Sequence, residues 1–354
     1  MPSAISRRQF SQGLLTALAT TSFARAGRAA AVSASTVTPQ LIEAAKKEGK
    51  AVWYTAVDLP VAERIAKAFE AKYPGIAVRV ERSGGERIFQ RIGQEYASNI
   101  HAVDVVNSSD AAHFIVWKRE GILTPYVPED VASHYPAEQI DPDGLFASWR
   151  VWLCVIGYNT KLVKAEEAPK SFADLLDPKW SGKIVKAHPG YSGTIMTATY
   201  QIARDIGWPY FEKLSRQKVM QVQSSADPPK KLALGERAVM ADGNEYNLIQ
   251  LKEKGEPVEI VYPSEGTPLI IGPSGLMKAA PNPNAARLLQ SFMFSGECQQ
   301  LMVDWGGLRS FHTQVKDKEG RRPLKDIKLM QDDPAAVEKE ADQIKAKYTQ
   351  YFKV

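Results

Sequence analysis

Residues 50–110, KAVWYTAVDLPVAERIAKAFEAKYPGIAVRVERSGGERIFQRIGQEYASNIHAVDVVNSSD, alternate between two hydrophobic periods. The segments 50–57, 76–85 and 102–110 are rich in β-branched and aromatic residues, which predicts three strands. The segments 60–75 and 87–99 between them carry apolar residues at helical spacing, which predicts two helices. Strands that alternate with helices form a parallel sheet, so the pattern predicts an α/β fold.

Small polar residues follow each of these three strands. Turn chemistry explains each segment singly, but three in succession indicate a binding site, because ligands of open parallel sheets bind beyond the carboxyl ends of the strands. The candidate ligand-binding residues at these ends are Thr55, Ser83, Gly84, Gly85, Ser109 and Asp110. We expect Asp110 to bind an amine or hydroxyl group, or to cap the helix that follows it.

A similar turn, HPGYSGT at residues 188–194, precedes the apolar helical pattern IMTATYQIARDIG. The first turn of a helix has unpaired N–H groups and lies at the positive end of the helix dipole, so it attracts anions. Ser192, Gly193 and Thr194 therefore either bind an anionic group or only cap the helix. Because residues 83–85 precede another predicted helix in the same way, two helix N-termini could clamp one anion.

Two further segments contribute candidates. Arg87 falls in the first turn of its helix, where the dipole disfavours a cation, so we expect it to pair with an acid or bind an anion. The segment DGNEY at 242–246 follows a predicted strand and opens a helix. We expect Asp242, Glu245 and Tyr246 in it to contact the ligand, the two acids through its hydroxyl or amino groups.

The long apolar strand predicted at 149–163 begins with Trp149 and Arg150. Stacking on a ligand and anion binding are open to this pair, but the apolar surroundings favour packing in the core. Cys154 and Cys298 are the only cysteines, and we expect two separate buried thiols rather than a disulfide. With five scattered histidines they form no metal-site spacing, so no metal or cofactor is expected.

Composition narrows the class of protein. The chain has 354 residues, with 44% hydrophobic and 24% charged residues, which is typical of a globular protein of about two domains. The formal charge is +5, but four arginines and no acids lie in residues 1–31, so the remainder carries only +1. A nucleic-acid-binding protein keeps a strong basic surplus, and we therefore expect no nucleic-acid partner.

Residues 1–31 have the organisation of a signal peptide. SRRQF at 6–10 precedes the apolar run GLLTALATTSFA, and small residues suited to cleavage follow it. The twin arginines favour the Tat route over the Sec route. Outside this segment there is no long uncharged apolar run. The sequence therefore predicts a soluble protein exported to the periplasm.

Several motifs together resemble one family. GYNTKLV (157–163), SFADLLDPKWSGKI (171–184), SGG (83–85) followed by RIGQEYASNIHAVDVV (91–106), and AVMADGNEY (238–246) are similar to segments of periplasmic solute-binding proteins of ABC importers. The branch concerned includes binders of ferric iron, thiamine, 2-aminoethylphosphonate and sugar phosphates. The resemblance covers nearly all of the chain after the signal peptide.

The resemblance implies the two-lobed periplasmic-binding-protein fold of type II, with parallel-rich sheets and two hinge crossings. Residues 40–150 plus 272–354 would form lobe 1 and residues 155–266 would form lobe 2, with hinge crossings at 151–155 and 266–272, near Leu153 and Leu269. A small-molecule ligand would bind in the cleft, and the partners would be an ABC permease and an ATPase. We expect a monomer.

The expected ligand is a small anionic or zwitterionic solute, with a phospho- or phosphono-compound preferred. Ferric iron or a ferric complex is the alternative, with Tyr246 and Glu245 as its ligands. Iron-binding relatives carry adjacent tyrosines in this region and often a histidine after the first strand, whereas this chain has Glu245 before Tyr246 and no histidine at 55–57. A secreted enzyme is a remote alternative, because nucleophile-elbow, HExxH and CxxC motifs are missing. A receptor that reports ligand to a membrane sensor also remains open.

Overall fold

A computed structural model describes residues 33–354, so the predicted signal peptide lies outside the described residues. Within this range the chain forms eleven strands: β1 (Lys50–Thr55), β2 (Ala77–Arg82), β3 (Val105–Asn107), β4 (Leu123–Thr124), β5 (Phe146–Asn159), β6 (Ile184–Ala187), β7 (Met220–Val222), β8 (Val239–Asn244), β9 (Val258–Val261), β10 (Thr267–Met277) and β11 (Leu329–Met330). Over the same residues no helix is long and apolar enough to cross a membrane.

The described residues also form twelve α-helices: α1 (Pro39–Glu48), α2 (Leu59–Lys72), α3 (Gly85–Ala97), α4 (Ala112–Arg119), α5 (Glu129–His134), α6 (Gly193–Asp205), α7 (Trp208–Ser215), α8 (Asp227–Ala233), α9 (Glu245–Glu253), α10 (Pro283–Phe294), α11 (Gly296–Gly306) and α12 (Pro334–Phe352). Residues Ala173–Leu176 and Pro178–Trp180 form two short 3-10 turns. Helices α10 and α11 are separated at Ser295, whose hydroxyl accepts from the Cys298 N–H and so starts α11.

The strands follow one another across the sheet in the order β2-β1-β3-β10-β5-β8-β6-β7. One end of this order is parallel, because β1 pairs in parallel with β2 and β3. The other end is also parallel, because β6 pairs in parallel with β7 and β8. The α/β fold with parallel-rich sheets is therefore as predicted, and β5 and β10 lie between the two parallel groups.

Two long antiparallel strands carry the chain between the parallel groups. The first part of β5 pairs with β10, and its later part pairs with β8 and β9. Leu153 lies directly opposite Leu269 in this ladder. We call the region around β1–β3 lobe 1 and the region around β6–β8 lobe 2; the boundaries given above for the two lobes remain predictions.

The core of each lobe is built on large aromatic side chains. Trp53 and Trp149 meet edge to face in lobe 1, with ring centroids 5.7 Å apart. Phe172, Tyr210 and Phe211 are buried together in lobe 2. Burial of each such side chain stabilises the fold by about 1.5–3 kcal/mol.

The last helix, α12, contacts both lobes. Its Tyr348 is fully buried and meets His188 and Phe211 of lobe 2. Its Lys345 lies 3.0 Å from a carboxylate oxygen of Glu86 at the start of α3 in lobe 1. The predicted boundaries assign α12 to lobe 1, but the helix packs against lobe 2 as well.

Candidate functional site

A small cavity of about 20 Å³ lies where the polar turns of the two lobes meet. The residues that line it are Ala56, Arg82, Gly84, Gly85, Ser109, Arg150, Trp152, Tyr191, Ser192, Thr194, Ser224, Ser225 and Tyr246. Six of the residues predicted from sequence are among them, namely Gly84, Gly85, Ser109, Ser192, Thr194 and Tyr246. The volume holds about one water molecule, so a larger ligand requires the two lobes to separate.

The N-termini of two helices reach this cavity, as the sequence pattern predicted. Helix α3 begins after Gly84, which has no side chain with which to cap the first turn. Helix α6 begins after Ser192, whose hydroxyl accepts from the Ile195 N–H at 3.4 Å. Ser192 is thus a helix cap that also lines the cavity, while the first turn of α3 has no side-chain cap and remains able to bind an anion.

Two glycines allow the lobes to touch. A Cβ atom added at Gly193 would lie 2.8 Å from Cβ of Asp110, and one added at Gly84 would lie 2.7 Å from the carbonyl oxygen of Tyr191. We expected Gly193 to contact the ligand, but it does not line the cavity. The space above it is filled by the opposite lobe, so this glycine is required for closure of the cleft.

Arg150 is the most unusual residue of the cavity wall. It is 1% exposed, and its Nε and Nη2 atoms have no hydrogen-bond partner among the described residues. Its guanidinium lies 4.3 Å from the ring centroid of Trp152. Burial lowers the pKa of Arg150 to about 10, so the side chain is still a cation at neutral pH. Arg150 is therefore buried, as expected, and it also lines the cavity.

A second cation and a phenol complete the polar wall. Arg82 lines the cavity, and its Nη2 lies 3.7 Å from a carboxylate oxygen of Asp58. Tyr246 is buried, and its hydroxyl accepts from Asn244 Nδ2 at 3.0 Å. Burial, together with the nearby Asp58 carboxylate, raises the pKa of Tyr246 well above its ordinary value. The phenol therefore remains protonated, and the wall carries two cations.

Two predicted ligand-binding acids do not line the cavity. Strand β8 continues through Asn244, and Asp242 in it lies opposite Lys186 of β6, with a 2.5 Å ion pair between the buried side chains. Glu245 accepts two hydrogen bonds from Arg309, at 2.9 and 2.7 Å, and one from the Tyr262 hydroxyl. Each carboxylate has a cationic partner inside the protein, and contact of Asp242 and Glu245 with a ligand stays a prediction.

Four other candidates lie near the cavity without lining it. The Thr55 hydroxyl accepts from the Val57 N–H at 3.1 Å, and Ser83 hydrogen-bonds the backbone of β1. The guanidinium of Arg87 is exposed at the rim, where it donates to Gln223 of lobe 2 and lies over the Tyr191 ring. Asp110 accepts from the N–H of Ala112, the first residue of α4, at 2.9 Å, and its binding of an amine or hydroxyl group stays a prediction.

A buried hydrogen-bond network lies behind Asp110. The His113 ring joins Ser108 Oγ, at 2.6 Å, to Glu86 Oε1, at 2.9 Å. Burial raises the pKa of Asp110 to about 6. Burial also acts to raise the pKa of Glu86, but His113 and Lys345 outweigh it and lower that pKa to about 2. Glu86 is therefore a charged partner for both α4 and α12.

Sequence reasoning missed several lining residues for which a signal existed. Ser224 and Ser225 follow β7, so they lie at the carboxyl end of a parallel strand like the other turns. Tyr191 lies within the quoted turn 188–194, whose other polar residues supplied the candidates. Arg82 and Trp152 lie inside strands, where no local signal shows which side chains face a cavity.

Two bacterial proteins are similar in sequence to this chain. The chain is 29% identical over 251 residues to the putative 2-aminoethylphosphonate-binding periplasmic protein of Salmonella typhimurium, which covers 66% of this chain and 70% of that protein. It is 24% identical over 243 residues to Iron uptake protein A1 of Synechocystis sp., which covers 65% of this chain and 67% of that protein.

Solved structures share the fold. The periplasmic binding protein AfuA from Actinobacillus pleuropneumoniae, with fructose-6-phosphate bound, superimposes with a TM-score of 0.79 at 25% identity, covering 87% of this chain and 99% of AfuA. Iron-bound HitA from Pseudomonas aeruginosa superimposes with a TM-score of 0.73 at 22% identity, covering 85% of this chain and 99% of HitA, which is a likeness of fold alone. The predicted two-lobed fold is confirmed.

The family model described as bacterial extracellular solute-binding protein matches residues 102–328, which is more than half of the chain. That match and the relatives above confirm the family resemblance inferred from the sequence motifs. The chain belongs to the bacterial extracellular solute-binding proteins and is a solute-binding protein of an ABC importer.

Proposed function

We propose that this solute-binding protein captures a small organic anion with a phosphate or phosphonate group in the cavity between its lobes. Arg150 is the observation that carries the proposal. A buried guanidinium without a carboxylate partner costs several kcal/mol, and a protein tolerates that cost where a ligand supplies the missing anion. Arg82 and the uncapped start of α3 add positive potential to the same small volume.

The hydroxyl groups around the cavity favour a tetrahedral oxyanion. Ser109, Ser192, Thr194, Ser224 and Ser225 line it from both lobes. A phosphate or phosphonate group has three free oxygens, each of which accepts several hydrogen bonds, while a carboxylate has only two such oxygens. Donors that converge from opposite sides therefore fit the tetrahedral group better, and the bound anion would hold the lobes together.

Ferric iron is the second candidate, and Tyr246 is the observation that favours it, because a phenol lines the cavity. Three features oppose it. The phenol has a raised pKa, Glu245 is held by Arg309, and two arginines share the wall. A ferric ion requires deprotonated hard oxygen ligands, and cations next to it repel it. The organic anion is therefore the better match to this chain.

A catalytic role is not part of the proposal, although Ser108, His113 and Glu86 are connected in the order of a hydrolytic triad. Ser108 is fully buried and does not line the cavity, so no substrate reaches its hydroxyl. Glu86 is also engaged by Lys345. This network fits a structural support for the start of α3 and α4, and the chain acts by binding.

We also propose a location and partners for the protein. The protein is exported to the periplasm, where it works as a soluble monomer and delivers its ligand to an ABC permease and ATPase, without a nucleic-acid partner. The twin-arginine segment and the names of periplasmic relatives support this placement. A neighbouring permease and ATPase gene pair would support transport over a sensing role.

Calorimetry with a matched panel of anions tests the proposal. The panel contains inorganic phosphate, propylphosphonate, 2-aminoethylphosphonate, fructose 6-phosphate, propionate and ferric citrate. We expect at least one organophosphorus compound to bind with micromolar or better affinity and propionate to bind much more weakly. Binding of ferric citrate alone, or tighter binding of propionate than of every organophosphorus compound, would overturn the proposal.

A further inference from the structure

A wide groove of about 710 Å³ opens beside the small cavity. Arg82 and Ser224 line both the groove and the cavity, so the two spaces adjoin. The groove lies between the start of α2 in lobe 1 and helices α8 and α9 in lobe 2. A ligand whose anionic end occupies the cavity would therefore extend past Arg82 into this groove.

Asp58 lines the groove next to Arg82, which lines both spaces. It directly precedes α2, where an aspartate normally caps the helix, yet its side chain makes no capping hydrogen bond. One carboxylate oxygen instead accepts from Asn247 Nδ2 of lobe 2 at 2.6 Å. The other lies 3.7 Å from Arg82 Nη2. The carboxylate is thus turned towards the cleft, and its one hydrogen bond joins the two lobes.

This carboxylate is unfavourable for a simple anion. Its negative charge acts to raise the pKa values of both Arg150 and Tyr246. A negative charge beside the cavity weakens the binding of phosphate or phosphonate by like-charge repulsion. A site built for an anion alone would bind more tightly without it, whereas a ligand that also carries a cation gains from it.

We infer that Asp58 binds an ammonium group on the solute, so that the ligand is a zwitterion with its amine a short linker away from its anionic group. The inference rests on the proposed function, because it requires the anionic group in the cavity beside Arg150. Asn247 holds the carboxylate in place in the closed form, and both residues line the groove into which the amine would point. Asp58 then selects among anions of similar size.

The test compares 2-aminoethylphosphonate with propylphosphonate, which has the same shape but a methyl group in place of the ammonium. Calorimetry is performed on the wild-type protein and on Asp58→Asn, whose amide oxygen still accepts from Asn247. We expect the wild type to prefer the amine by at least tenfold and the variant to lose that preference. Propylphosphonate should bind Asp58→Asn as tightly as the wild type, or several-fold more tightly.

The matched control is Asp333→Asn, the same substitution at the start of α12, outside the cavity and the groove. It should keep the wild-type preference. If the wild type binds both compounds equally well, or if Asp58→Asn keeps the preference, the inference about Asp58 is wrong while anion binding stands. If the wild type binds neither these compounds nor any other organophosphorus anion, the proposed function itself fails.

Discussion

Replacement of Arg150 by methionine should change stability and affinity in opposite directions. Methionine keeps a long flexible side chain against Trp152 and removes the charge. Burial lowers the pKa of Arg150 to about 10, which corresponds to a net penalty of about 3 kcal/mol for burying the cation. We therefore expect the ligand-free Arg150→Met protein to be more stable than the wild type by about 1–3 kcal/mol.

The same variant should lose affinity for the ligand. A charge-assisted hydrogen bond to an oxyanion contributes about 1.5–3 kcal/mol, so the loss of the guanidinium should weaken anion binding by roughly 100-fold. Urea denaturation without ligand and calorimetry with the best anion of the panel give the two quantities. Arg309→Met is the control, because Arg309 is equally buried but paired with Glu245, and its loss should destabilise the protein by about 3–5 kcal/mol.

A purely structural role for Arg150 predicts the reverse. In that case Arg150→Met would lose stability as Arg309→Met does, and anion affinity would fall only as far as the fold is damaged. Loss of stability together with unchanged affinity would refute the reasoning, because it would mean that the guanidinium is satisfied inside the protein and does not meet the ligand.

Four further results are expected. Gly193→Ala should weaken ligand binding at least tenfold, about 1.4 kcal/mol by calorimetry, because its Cβ would lie 2.8 Å from the opposite lobe, whereas Gly93→Ala, with open space around it, should not. The raised pKa of Asp110, about 6, makes the folded wild type lose stability as the pH rises from about 4 to about 6. In urea titrations across this window, Asp110→Asn should therefore gain about 3 kcal/mol of stability relative to the wild type. Equal pH profiles of the two proteins would contradict this. Ferric citrate should produce no visible charge-transfer band, and a band that disappears in Tyr246→Phe would make iron the ligand. N-terminal sequencing of the periplasmic protein should find a start after an alanine within residues 24–31, and a start at residue 1 would oppose export by cleavage.

Much of the fold could be predicted from local sequence pattern. The strand–helix alternation of residues 50–110 gave β1, α2, β2, α3 and β3 in the order that the structure has. The small polar residues after the strands also predicted most of the turns that line the cavity. Chain reversals at strand ends need such residues, and ligands bind beside them. The long strand that carries Arg150 was equally visible as an apolar run.

The orientation of individual side chains could not be predicted in the same way. Strand β5 is buried on both faces, so period-two alternation does not show that Arg150 faces a cavity while Trp149 faces the core. The ion pair of Asp242 could not be predicted for a related reason, because its partner Lys186 is distant in sequence and meets it only through the pairing of β6 with β8. Such pairings depend on the register of the sheet.

Native mass spectrometry of the protein purified from its own periplasm tests the central claim most directly. We expect the wild type to carry an organic phosphate or phosphonate that also contains an amine, and Arg150→Met purified in parallel to carry none. Collision-induced release and accurate mass of the released anion would identify its phosphorus content. A wild-type protein that carries ferric iron, or an Arg150→Met protein that retains the same organic anion, would contradict the account.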